Sequence, residues 1–241
     1  MKPALMVFAL SAALAAPLGA QQDLGTQLRG RGASPEFAGA VQELATAARE
    51  AGLPVGPIAD KAFEGLAKGY PPARVLPVLQ ALVERLGAGR SVVSGAGLEP
   101  PPGAVVAAAA EALGRGMEPS QVADVIRAAP APEAAATGLL GAVSLTAQGL
   151  KPAEAAQAVS RAYREGRTAH DVLEIPSVTS SWLAQGVALP EVARRVLEGR
   201  PIRVGPGQGQ GAPPVGVVPG PPPGKGPPIN PPGRGRNPRR P

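Results

Sequence analysis

The chain reads as all-α: an irregular bundle or short solenoid of degenerate helical hairpins, followed by a disordered Pro/Gly-rich C-terminal tail. Three observations predict this. Alanine, leucine and valine dominate the middle of the chain, and alanine is the strongest helix former and lets helices approach closely. No window alternates β-branched residues at a period of two, so no strand is expected. Prolines open and glycines close one apolar segment after another, the asymmetry of real helix ends.

Residues 1–20, "MKPALMVFALSAALAAPLGA", are expected to be an export signal. Lys2 supplies a positive start, Ala4 to Leu18 form an apolar run too short to span a bilayer, and small residues lead to Ala20. No later segment is apolar enough to span, so no transmembrane segment is expected after cleavage, and the protein is placed in the periplasm or outside the cell. Residues 21–33 are read as a flexible N-terminal segment. Ser34-Pro35-Glu36 then starts a helix with a hydroxyl N-cap, a proline at the first helical position and an acid at the positive dipole end.

The all-helical domain spans 34–200. Its first helix runs to about Glu50 and stops at Gly52; a shorter one follows Pro57 and ends near Lys68. The next runs from Pro72 to about Leu86, and Pro77 predicts a kink because its ring clashes with the preceding turn. "GAGRSVVSGAGLEPPPG" breaks the periodicity and predicts an internal loop over about 87–103. Further helices are expected at about 104–115, 119–129, 132–148, 152–165, 177–185 and 190–198, with a short turn near 169–174.

A degenerate repeat underlies the domain. "AKGYPPARVLPVL", "GRGMEPSQVADVI", "AQGLKPAEAAQAV" and "AQGVALPEVARRVL" each place a glycine before a proline that opens a helix. Counted from that proline, offsets +3, +6 and +7 hold Val75, Val78 and Leu79; Val122, Val125 and Ile126; Ala155, Ala158 and Val159; Ala193, Val196 and Leu197. Those offsets share one helical face, which is predicted to point inward. The residue before the proline is Pro71, Glu118, Lys151 or Leu189, so the copies share no polar group there and read as architecture. Successive prolines are 47, 33 and 38 residues apart, which suits two helices and two turns per unit. In unit length and in the glycine between helices this resembles helical-hairpin repeats, of which the tetratricopeptide repeat is one. The large and aromatic positions of that family are missing, so its peptide-groove function is not carried over.

Composition narrows the chemistry. The chain has no cysteine and one histidine, which excludes disulfides and thiolate sites and leaves no set for a transition-metal centre; no cofactor is expected. His170-Asp171, with Ser177, Ser180 and Ser181 nearby, invites a hydrolase reading. A capping box from Thr168 to Asp171 explains the same residues, adjacent helical side chains diverge, and no Gly-x-Ser-x-Gly elbow exists. Glu111, Glu118, Asp124, Glu133 and Glu154 are scattered singly in first turns or beside arginines, as ordinary helix electrostatics require.

The charge is segregated. Of 24 basic and 18 acidic residues in the chain, six basic and no acidic ones follow Pro201: Arg203, Lys225, Arg234, Arg236, Arg239 and Arg240. That tail, 201–241, also holds 14 prolines and 10 glycines, a composition unable to form a core. These six cations are the candidate contacts for an anionic envelope polymer or another polyanion; without an aromatic for stacking, specific nucleic-acid recognition is not expected. The sequence therefore points to an exported, non-enzymatic binding or scaffold protein with an unidentified protein partner. Association through the basic tail is the alternative, and an enzyme with an unrecognised site is a second one.

Overall fold

The computed structural model describes residues 23–199; residues 1–20, expected to be an export signal, and 201–241, expected to be a disordered tail, lie outside the described residues. The described residues form ten helices and no strand. The helices are α1 (Leu24–Gly30), α2 (Pro35–Glu50), α3 (Gly56–Ala67), α4 (Pro72–Gly95), α5 (Gly103–Gly114), α6 (Pro119–Ala128), α7 (Pro132–Ala147), α8 (Pro152–Arg164), α9 (Ala169–Ala184) and α10 (Leu189–Leu197). Their packing partners sort into two rows. Helices α5, α7 and α9 pack in succession along one, and α2, α4, α6, α8 and α10 along the other, with consecutive helices bridging the rows. This is the pattern of a short solenoid of hairpins. α1 lies on α2, and α3 packs on α2 and α4.

The turns explain the stacking. Gly32, Gly52, Gly69, Gly97, Gly116, Gly149, Gly166, Gly186 and Gly199 all have positive φ, a region open to glycine at little cost. The amide of the next residue donates back five positions in each turn whose following residue is described: Tyr70 to the Gly65 carbonyl, Met117 to Ala112, Leu150 to Leu145, Val187 to Trp182. This is the Schellman closure, which satisfies carbonyls that the helix end leaves unpaired.

Counted from the glycine, the register is tighter than the one counted from proline. Six residues after it stand Ala38 (0% exposed), Ile58 (0%), Val75 (5%), Val122 (0%), Ala155 (0%), Val172 (0%) and Val192 (0%). α9 is thus a further copy, with Ala169 where the copies at Gly32, Gly69, Gly116 and Gly149 have proline. In the last copy α10 opens at Leu189, so Val192 takes the inward position and Val196 is only half-buried. Three of the copies, α6, α8 and α9, have a polar acceptor in the first turn rather than before the proline. Gln121, Glu154 and Asp171 each accept the N-cap amide of Glu118, Lys151 and Thr168, at 3.1, 3.3 and 2.8 Å. At α8 it compensates for Lys151, which has no oxygen to cap with, and at α9 it completes the cap that the Thr168 hydroxyl already makes.

Four expectations are corrected. Within 21–33, residues 24–30 are helical: Asp23 caps α1, Leu28 is fully buried, and the Gly25 amide donates to Gln42 of α2 at 3.1 Å. The loop expected over 87–103 is helix α4 as far as Gly95. Gly89 does not break the helix but lets α5 approach, for a Cβ there would stand 2.9 Å from the Val106 carbonyl oxygen and 3.0 Å from the Ala110 amide. The two segments expected at 169–174 and 177–185 are one helix running through Pro176, whose ring is buried and whose carbonyl accepts Gln148 from α7 at 3.0 Å. Val78, expected to face inward, is 45% exposed.

The core lacks bulk and relies on closeness. Among the aromatics of the described residues only Phe37 and Tyr163 are buried; Ala108, Ala109, Ala110 and Ala112 fill the face of α5. Tyr163 reaches across to α7, donates to the Ala134 carbonyl at 2.5 Å, and occupies the space that Gly138 leaves: a Cβ at Gly138 would lie 2.6 Å from the ring. Burial raises the Tyr163 phenol above its ordinary pKa. The other three aromatics of the described residues each carry an arginine, Arg31 on Phe63 at 4.2 Å, Arg74 on Tyr70 at 5.5 Å and Arg195 on Trp182 at 5.6 Å from the ring centre.

Close approach at Gly89 gives a paired prediction. Gly89→Ala forces backbone apart and is expected to cost about 1–3 kcal/mol in urea unfolding. Gly87→Ala, where nothing lies within 4 Å of the added carbon, is expected to stabilise by roughly 0.5–1 kcal/mol through helix propensity. Equal effects at the two sites would contradict the packing described.

Candidate functional site

The histidine region is assembled for folding. Thr168 ends the turn after Gly166 in extended backbone and caps α9. Its hydroxyl accepts the Asp171 amide at 3.2 Å and donates to the Asp171 carboxylate at 2.7 Å, and the same carboxylate accepts the Thr168 amide. These bonds from Thr168 hold the Asp171 carboxyl below its usual range. Asp171 is therefore committed to the cap. The His170 ring is 81% exposed, with Nε2 3.4 Å from Glu174 one turn on, and none of Ser177, Ser180 or Ser181 hydrogen-bonds to it. Open water on one side and no hydroxyl on the other leave the imidazole nothing to activate.

The scattered acids are equally occupied. Glu111 pairs with Arg115 at 3.1 Å, Asp124 with Arg127 at 3.2 Å and Glu154 with Lys151 at 3.7 Å, all within one helix turn. Glu133 lies in the first turn of α7, and Glu118 precedes α6. Among the described residues no three His, Asp or Glu side chains converge as metal ligands would. All six tail cations lie outside the described residues, so they are placed by sequence alone.

The surface feature that sequence reasoning passed over is a groove between α3 and α4. It encloses about 730 Å³ out to its open mouth and is lined by Lys61, Glu64, Tyr70, Arg74, Val75 and Val78. Gly65 builds its floor: with no side chain there, Val75 of α4 closes to a distance at which a Cβ would meet it at 2.8 Å. The left-handed turn at Gly69 then throws Tyr70 outward, 46% exposed, beside Val78. Met117 and Leu150, which follow Gly116 and Gly149 in the other copies, are buried at 3% each. An aromatic in that slot was the available signal.

One wall of the groove is electrostatically closed. Glu64 accepts Lys61 at 2.6 Å and Lys68 at 2.5 Å. Hydrogen bonds from Lys61 and then Lys68 lower its carboxyl to about 2 and hold the Lys68 ammonium above its usual value. Arg74 stacks on Tyr70 and has no carboxylate partner among the described residues. The groove can thus offer an aromatic ring, a branched aliphatic and one uncommitted guanidinium.

A second apolar strip lies between α8 and α10, where Leu189 (36% exposed), Pro190, Ala193 and Leu197 line a shallow trough. Arg194, held between Glu191 and Glu198 at 2.7 and 2.6 Å, walls it. Arg195 and then Arg194 pull the Glu191 carboxyl below its ordinary range. No helix of the described residues is long and apolar enough to cross a membrane. No family model, no curated protein and no solved structure matches this chain.

Two substitutions separate cap from catalysis. Thr168→Ala is expected to cost about 1 kcal/mol as a lost N-cap, measured by urea unfolding at neutral pH, and to return the Asp171 carboxyl toward its ordinary pKa of 3.8. Because the folded value is depressed, the Asp171 contribution is present above that pKa and lost as pH falls through the folded one. The deficit of Thr168→Ala should therefore shrink on acidification below about pH 4. His170→Ala is expected to stay within about ±0.5 kcal/mol, as exposed substitutions do.

Proposed function

We propose that this chain is an exported helical scaffold whose repeat body binds a protein partner and performs no chemistry of its own. The observation that supports the reading is the α3–α4 groove, where Tyr70 and Val78 stand 46% and 45% exposed side by side. Tyrosine and arginine are both among the residue types enriched at protein-binding hot spots. The partner it suits presents an apolar side chain with a carboxylate beside it, the apolar group on Tyr70 and Val78 and the carboxylate on Arg74. Stacked hairpins suit such a role because they hold a long surface rigid without a large core. Export rests on residues 1–20.

The test uses the full chain with a photo-crosslinking residue near the groove, applied to envelope and culture fractions of the producing cell. A single predominant adduct is expected, and Tyr70→Ala with Val78→Ser should reduce its yield at least about tenfold, the loss that a hot-spot pair carries. Adducts that form equally well with the double variant would contradict a groove-directed partner.

A second reading is favoured by a separate observation. Residues 23–199 carry 16 basic and 18 acidic side chains, whereas 200–241 carry seven basic and none acidic. The tail is proposed to hold an anionic envelope polymer or other polyanion by counterion release. Replacing Arg203, Lys225, Arg234, Arg236, Arg239 and Arg240 by serine in the full chain is expected to abolish retention on heparin at low salt. On DNA, where each phosphate contact contributes roughly 0.7–0.9 to the log–log salt slope, it should flatten that slope. Equal retention of both proteins would remove this reading.

A further inference from the structure

The α3–α4 groove stops at Val78, but the face of α4 that lines it runs on. Arg74, Val78, Ala81 and Arg85 follow one another at spacings of four, three and four, which keeps them on one side of the helix. Arg74, Val78 and Ala81 are exposed. α4 has 24 residues and α6, the next helix of its row, only 10. α5 runs back along α4, with Ala110 against Gly89 and its last residue, Gly114, against Arg85. α6 therefore begins level with Arg85, and the earlier turns of α4 extend beyond it.

Arg85 is the unusual charge on this face. It is half-buried, its Nε is shut off from water without a hydrogen-bond partner, and no carboxylate among the described residues pairs with it. The other half-buried arginines, Arg167 and Arg195, have Glu165 and Glu191 at 3.8 and 2.7 Å. Gly114 makes room for the guanidinium, for a Cβ there would lie 2.9 Å from Nη1. The carboxyl end of α5 attracts a cation, yet no carbonyl there accepts it. A charge taken partly out of water without a partner is costly. Glu84 precedes Arg85 but lies about 100° round the helix from it. Lys61, Lys68, Arg74 and Arg85 share one paired carboxylate, Glu64, on a body whose acids outnumber its bases.

We propose that this strip seats an acidic amphipathic helix of a partner protein, with one carboxylate on Arg74 and a second on Arg85. The inference rests on the groove reading above and adds the partner's fold and the spacing of its acids. Eleven residues of helix separate the two guanidiniums by roughly 16 Å. A strand would find no sheet edge to pair with among the described residues. A helix laid alongside keeps the same rise, so its contact face reads an acid, aliphatic side chains four and seven residues on, and an acid eleven residues on. The aliphatic pair covers Val78 and Ala81. The second acid gives the Arg85 fork the acceptor that the fold does not supply.

The probe is a fluorescent helical peptide of alanine and glutamine with glutamates and leucines at those four positions. A second peptide carries glutamine for one of the two glutamates. In anisotropy titrations of the full chain at physiological salt, Arg85→Gln is expected to weaken the two-glutamate peptide about fivefold, the upper end for an ion pair at a surface. The one-glutamate peptide, free to seat its acid on Arg74, should lose less than about twofold. Arg85→Gln should leave the urea midpoint unchanged, since the fold does not pair that charge; a lowered midpoint would return Arg85 to holding the α5 end and overturn the proposal. Equal weakening of both peptides, no weakening, or no binding of the two-glutamate peptide would overturn it as well. So would binding that vanishes when the six tail cations are replaced by serine, which would assign the peptide to the tail. Failure of the groove reading is told apart by Tyr70→Ala with Val78→Ser, which would then leave the affinity for both peptides unchanged.

Discussion

A left-handed glycine closed by a six-to-one hydrogen bond ends helix after helix in this chain, and the position of each following helix is counted from it. A residue with a Cβ would meet a penalty of about 1 kcal/mol or more in that backbone region. The bond from the residue after the glycine closes the finished helix, and where that residue is Met117 or Leu150 its side chain goes into the core. Only two residues then separate the glycine from the next helix in most copies. Too little chain is left there to choose another register, and the sixth residue arrives at the interior, except after Gly97, where five residues intervene and the sixth is the exposed Gly103. Two rows of helices follow from repetition of one turn.

Closeness replaces bulk everywhere else. With few buried aromatics, the interior is filled by alanines and valines whose dispersion contacts count only at short range. Gly65, Gly89 and Gly138 sit where two helices, or a helix and the Tyr163 ring, come nearer than a Cβ would allow. Arginines do much of what large side chains do in other small domains. Arg90, Arg161 and Arg167 reach from neighbouring helices to the carbonyls of Ala51, Leu197 and Gly199, where helix ends carry partial negative charge. Their aliphatic stems and flat heads cover surface at low cost in solvation.

Much of this fold was legible in the residue order. Proline starts and glycine stops place α2, α3 and α5 to α8 within a residue or two, because capping and termination are local events. The failures share one physical cause: glycine and proline act through tertiary surroundings as well as through the backbone. At Gly87 and Gly89 the local rule says stop, yet α4 continues to Gly95, packed closely on α5 at Gly89. Pro176 is tolerated in α9 for a similar reason, its carbonyl being satisfied from α7. The Thr168–Asp171 cap was readable since three residues suffice to form it. The α3–α4 groove was not, because outward exposure of Tyr70 and Val78 depends on which helix happens to lack a neighbour there.

Among the described residues every substantial helix contact joins elements that are adjacent or one apart in sequence, so most stabilising contacts are local along the chain. Cooperativity in such a chain passes from unit to neighbour, and stability is close to a sum over units and their junctions. Loops that must close before contacts form are short, which favours fast folding. The ends are held from one side only, so opening should begin there and move inward while α5 to α8 remain protected. A structure organised this way can gain or lose one hairpin without redesign of the rest. Its length is a quantity free to change.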